Sequence, residues 1–138
     1  MQADLDLAKQ RLKQKDLALV IAKNGKIVFE TELHGINGLL NAMEQSKKGM
    51  KGSSVADKIV GRAAALLLVY SGVVAAFGVT ASDGAIQVLK DYNVFLEFEK
   101  SVACILNYEK NDVCPFEKLT ACISNPLEAY KVLKQRCG

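Results

Sequence analysis

The chain has 138 residues, half of them hydrophobic and 24% charged, with a net charge of +3. That length and balance favour one globular domain, residues 1–138, with a real core. The small net charge, the absence of tryptophan and an aromatic share of 7% argue against a nucleic-acid partner, which needs a basic face and stacking platforms.

The opening MQADLDLAKQRLKQK is charged and amphipathic, with no apolar core after its basic residues, so it does not read as a signal peptide. Asp4 to about Gln14 reads as a helix with Leu5, Ala8 and Leu12 on one side, peripheral to the domain. Leu17 to Ala22 and Lys26 to Glu32 read as strands. Asn24-Gly25 between them is a hairpin signal, because both residues tolerate positive φ. His34-Gly35 ends the hairpin, and His34 reads as a surface turn residue. Ile36 to Ser46 reads as a helix, and Lys47 to Gly52 as a loop whose lysines (Lys47, Lys48, Lys51) are solvated.

Gly52 to Gly72, GSSVADKIVGRAAALLLVYSG, reads as one long buried helix capped by Ser53 or Ser54. Ser54, Asp57, Lys58, Gly61 and Arg62 then share one helical stripe. Charges on a buried helix are costly unless they are paired or face a wet cavity, so the stripe either looks into a pocket or forms an internal ion-pair network. In the structural reading Ser54 and Asp57 cap the helix, while Lys58 and Arg62 reach solvent or pair with acidic neighbours. Gly61 is expected to allow a neighbour's close approach. Ala63 to Ser82 carries no charge and is long enough to span a bilayer, but Ser71-Gly72 interrupts it and its second half turns β-rich. A helix followed by a buried strand, Val73 to Val79, fits better than a membrane span.

Ser82 or Asp83 caps a helix running to about Asp91, and Val94 to Phe98 is another strand. Cys104 to Tyr108 reads as a short strand. Cys114-Pro115-Phe116-Glu117 has the signature of a helix start, and Asn125-Pro126-Leu127-Glu128 repeats it. Short turns between helix and strand imply a parallel sheet. The fold class is therefore α/β: a three-layer α/β/α sandwich on a mixed sheet, antiparallel at the N-terminal β-hairpin edge.

Four cysteines occur, Cys104, Cys114, Cys122 and Cys137, without a CxxC or Cys/His metal spacing. We read the thiols as reduced and the protein as cytoplasmic. Cys104 and Cys122 are expected to pack, and Cys137 to be an ordinary exposed thiol in the frayed tail. Cys114 at a helix start would have its thiolate favoured by the helix dipole.

The element order, GSSVADKIVGRAAALLLVYSGV and the later CPFEK resemble the small bacterial proteins of the domain-of-unknown-function 1893 family, within the cytidine deaminase-like fold. The resemblance runs from about Leu17 to Leu133. Active members of that wider fold carry His-Ala-Glu or Cys-Ala-Glu at the start of the long helix and Pro-Cys-x-x-Cys at the next, which together hold zinc and shuttle protons. Here the first place reads Val55-Ala56-Asp57; in the second, Ser82 and Ala85 stand at the cysteine positions. The resemblance therefore implies a chain without the zinc ligands, not a zinc-dependent deaminase, with no cofactor expected.

Three functions follow as expectations. The first is binding of a small anionic or nucleotide-like ligand by Ser54, Asp57, Lys58, Arg62 and Ser82, where two helix N-termini would converge. The second is a cysteine-dependent enzyme or redox sensor using Cys114, with Asp57 or Glu117 assisting proton transfer. The third is a structural or interaction module, in which open hairpin edges would pair two copies as a homodimer.

Overall fold

A computed structural model describes residues 1–107 and 109–137, with Lys47 and Cys137 described by main chain alone. Among these residues, five strands form one sheet in the order β2-β1-β3-β4-β5. The strands are β1 (Leu19–Lys23), β2 (Lys26–Thr31), β3 (Ser54–Val60), β4 (Ala75–Ser82) and β5 (Phe95–Val102). β2, β1 and β3 pair antiparallel, and β3, β4 and β5 pair parallel. The mixed three-layer α/β/α architecture read from the sequence is the one observed.

The hairpin forms as its turn chemistry demands, with Asn24 at φ 54° and Gly25 at φ 79°. The Asp4 carboxylate accepts hydrogen bonds from both turn amides, at 3.0 and 2.8 Å. Asp4 belongs to α1 (Gln2–Gln14). That helix, read as peripheral, supplies one whole side of the sandwich: Leu5, Ala8 and Leu12 pack with Val20, Ala56 and Phe77 as a second core.

The other side of the sheet carries α2 (Ile36–Gln45), α4 (Arg62–Tyr70), α5 (Asp83–Asp91) and α7 (Pro126–Cys137) over the larger core. α3 (Lys47–Met50) is a single turn within the predicted loop, and α6 (Pro115–Thr120) is a short helix. α7 starts where Asn125-Pro126 placed it, with Asn125 Oδ1 accepting the Leu127 amide at 2.9 Å. No helix among the described residues is long and apolar enough to cross a membrane.

The largest departure falls in the stretch predicted as one helix from Gly52 to Gly72. It is a strand followed by a helix: β3 runs Ser54–Val60, Gly61 caps, and α4 occupies Arg62–Tyr70. Val55, Ile59 and Val60 are β-branched, and the segment pairs with β1 on one side and β4 on the other. Both edges of the backbone are therefore satisfied in the sheet, and the true period is two. Val55 enters the helix-side core while Ala56 enters the α1-side core.

Smaller corrections follow. Cys104 and Cys122 are exposed rather than packed, because both lie in irregular segments away from either core. The Cys104 to Tyr108 run is no strand over its described residues: only Leu106 makes a bridge, to Val113. Tyr108 and the side chains of Lys47 and Cys137 lie outside the described residues.

Within α4, Leu66, Leu67 and Leu68 are almost fully buried between the sheet and the outer helices. Leu67→Ala should destabilise the fold by about 2–5 kcal/mol, the usual cost of a cavity at such a site, read as a lowered urea midpoint with an unchanged slope.

Candidate functional site

A cavity of about 520 Å³ opens at the C-terminal end of β3. Its walls come from the loop before α2 (His34, Gly35), from Asp57 and Ile59 on β3, from the Gly61 cap of α4, and from the segment Ile105–Glu117. β1 begins opposite Asp57, at Leu19, so β3 runs on past its neighbour and leaves this space beside it. Ile36, Leu39, Ala64, Ile105, Leu106 and Phe116 make the lining largely apolar. Asp57, Asn107, His34 and Cys114 are the polar groups of the wall that hold no second element in place.

The helical stripe predicted for the site dissolves with the helix. Strand alternation puts Ser54 and Lys58 on the α1 side and Asp57 on the opposite side. Ser54 is fully buried, and its hydroxyl donates to the Met1 carbonyl at 3.2 Å. Lys58 donates to Asp16 at 2.6 Å, and this contact holds the Asp16 carboxyl below its ordinary range. Ser82 is buried as the cap of α5, its Oγ accepting the Ala85 amide at 3.1 Å. Of the five predicted ligand residues, Asp57 and Lys58 line the cavity and Ser54, Arg62 and Ser82 do not.

Arg62 and Glu117 form a reciprocal clamp. Glu117 Oε1 accepts the Arg62 amide at 2.7 Å and Oε2 accepts the Ala63 amide at 2.8 Å. The carboxylate thereby fills the amide-rich N-terminus of α4, where an anion is favoured. In return the Arg62 guanidinium donates to the carbonyls of Thr120 at 3.1 Å and Ile123 at 2.6 Å, at the end of α6. Gly61 makes the clamp possible. Its backbone is ordinary (φ −99°), but a Cβ there would collide with the Glu117 carboxylate and stand 2.8 Å from Ile105 Cγ1. The predicted close approach at Gly61 is real, and the neighbour is a side chain.

Asp57 is the one carboxylate of the cavity without a cation or a second helix to serve. Its Oδ1 accepts the Ile59 amide at 3.2 Å. Desolvation raises its pKa to about 7, outweighing the backbone amides of Ile59 and Lys58, which act the other way. Cys114 and His34 lie far apart in the sequence, and the fold brings both to the wall of one cavity. Cys114 is the half-buried residue preceding α6, as expected. Asn107, Ile105 and Phe116 were missed, since nothing in the local sequence tells which loop residues border a cavity.

The zinc expectation can be tested on the donors. With the helix start moved to Arg62, the two helix-opening places read Gly61-Arg62-Ala63 and Ser82-Asp83-Gly84-Ala85. They converge, with a Cβ on Gly84 lying 3.4 Å from Arg62 Cβ, but Asp83 is their only metal-binding side chain and it is exposed. Glu117 has both oxygens committed to backbone amides. Among the described residues no group of three His, Cys, Asp or Glu side chains gathers to hold a metal ion. The residues present do not fit zinc.

A mixed sheet with helices opening off its two inner parallel strands defines a three-layer α/β domain. The chain belongs to the family described as domain of unknown function (DUF1893), whose profile matches residues 7–137. The crystal structure of a DUF1893 family protein from Thermotoga maritima is similar at 24% identity and a TM-score of 0.90, over 99% of this chain and 91% of that one. RibD from Acinetobacter baumannii is similar at 16% identity and a TM-score of 0.53, over 71% of this chain and 35% of RibD. A dCMP deaminase from the cyanophage S-TIM5, in complex with dCMP and dUMP, is similar at 16% identity and a TM-score of 0.51, over 70% of this chain and 94% of that one. No curated protein matches.

Two tests follow. Glu117→Ala leaves two α4 amides without their acceptor and should cost about 2–3 kcal/mol in chemical denaturation, with Glu117→Gln losing less. Asp57 should give stability a particular pH dependence. A raised pKa means that the fold favours the protonated form, so this contribution is full below about pH 4 and is lost as pH rises through about 7. The urea midpoint of wild type should therefore fall between about pH 5 and pH 8 by more than that of Asp57→Asn, by at most ~1.4 kcal/mol per pH unit.

Proposed function

We propose that this protein is a binding domain for a small, largely apolar molecule of nucleobase or nucleoside size, held in the cavity beside Asp57. The observation that carries the reading is the cavity itself. At about 520 Å³ it is the size of a small-molecule site, apolar with a few polar groups that would fix a ligand's orientation. Asp57 and Asn107 would meet the polar edge of a planar ring, and Phe116 and Ile105 its faces.

This keeps the nucleotide-like part of the sequence expectation and drops the phosphate. The α4 amides that would bind an anion already hold Glu117, and Arg62 is spent on two carbonyls. The deaminase-like neighbour bound to dCMP and dUMP supports a pyrimidine-sized occupant by analogy of fold alone. The convergence of Cys114 and His34 on the same cavity supports a second reading, in which Cys114 is the nucleophile. Glu117 would then have no part in proton transfer, since both its oxygens are engaged.

Adenosine and cytidine should raise the melting temperature of the wild type by about 1–4 °C at millimolar concentration, and inorganic phosphate should not. Leu106 is half-exposed at the cavity wall, so Leu106→Trp would fill the space at little cost to the fold and should abolish the shift. A shift produced by phosphate alone, or one that survives Leu106→Trp, removes the reading.

A further inference from the structure

Resting on that cavity as the binding site, we infer that it selects a cationic, hydrogen-bond-donating molecule over an anionic one, with Asp57 as the anchor. The charged groups around the cavity are each accounted for. Lys58 stands at the wall, but its ammonium donates to Asp16. Arg62 lies outside the lining, turned to the carbonyls of Thr120 and Ile123. The N-terminal amides of α4 are closed by Glu117. Among the described residues no strong donor is thus left facing the space except His34 and the Asn107 amide, and the latter already donates to Asn111 at 2.8 Å.

Acceptors are in surplus. Asp57 takes up backbone amides on its own strand and, among the described residues, no side-chain donor, and it shares the cavity wall with Ile36, Leu39 and Ile59. A carboxylate so placed is costly to ionise alone, and a bound amidinium or protonated amine removes that cost. An anion would meet the Asp57 carboxylate, while Lys58 is engaged with Asp16 and the α4 amides with Glu117. The recognised class is a flat organic cation or a heterocycle with an exocyclic amino group.

Binding by such a cation requires ionised Asp57, so affinity is linked to pH. The other titratable groups facing Asp57 are His34, Lys58 with its partner Asp16, Cys114 and Glu117. Several ionisable groups thus share this space, so the assignment to Asp57 needs its own variant.

Benzamidine, benzyl alcohol and benzoate share one ring and differ in charge. Their dissociation constants, measured by NMR titration with shifts followed at Ile105 and Phe116, test the inference. At about pH 8 benzamidine should bind wild type about tenfold or more tighter than benzoate, with benzyl alcohol between them, and about pH 5.5 should erode most of that advantage. Asp57→Asn should bring the three probes within about threefold of each other and flatten the pH dependence. Benzoate binding as tightly as benzamidine, or a pH-dependent preference that persists in Asp57→Asn, overturns the inference while leaving the cavity reading in place if benzyl alcohol still binds. Failure of all three probes to shift Ile105 and Phe116 overturns both.

Discussion

The arrangement at the heart of this molecule depends on one carboxylate. Glu117 reaches back across the chain to grip the first two amides of α4, and Arg62 returns two hydrogen bonds to the end of the helix that carries Glu117. The pair is worth more than its ionic character suggests, because each charged group satisfies backbone groups that burial would otherwise leave unpaired. It fixes α6 to the head of α4, and with α6 the wall of the cavity formed by Ile105, Cys114 and Phe116. Gly61 is part of the same device: the carboxylate can approach the helix end only where there is no side chain to stop it.

The clamp also explains how a deaminase-like framework persists around helix starts that offer no zinc ligands. A helix N-terminus facing a cleft is an electropositive place that wants a negative partner. Here the chain provides that partner from its own α6, so the framework is held together without an outside ion. What is left beside it is an apolar space with Asp57 on its wall.

Much of this was legible in the sequence. The Asn24-Gly25 hairpin, the caps at Ser82, Cys114-Pro115 and Asn125-Pro126, and the mixed sheet all follow from local turn and capping chemistry, which depends on neighbours a few residues apart. The long-helix reading failed for a physical reason. Ser54, Asp57, Lys58 and Arg62 do sit at helical spacing, but a segment buried between two strands has its backbone satisfied from both sides, and that outweighs a short polar stripe. The predicted grouping came apart with it, because residues that share a helix face are divided between opposite faces of a strand; Asp57 and Lys58 still line the cavity. Glu117 was read as serving its own helix, and no local signal shows that its partners lie on α4. Gly61 was the one residue whose type hinted at that distant contact.

The first helix has a consequence for how the fold opens. Leu5, Ala8 and Leu12 of α1 share one core with Val20 of β1, Ala56 of β3 and Phe77 of β4. A helix of 13 residues is marginal in water on its own. Its apolar stripe is therefore fully covered only once strands far along the chain from it have paired, so opening of the β3–β4 pair would bare that stripe.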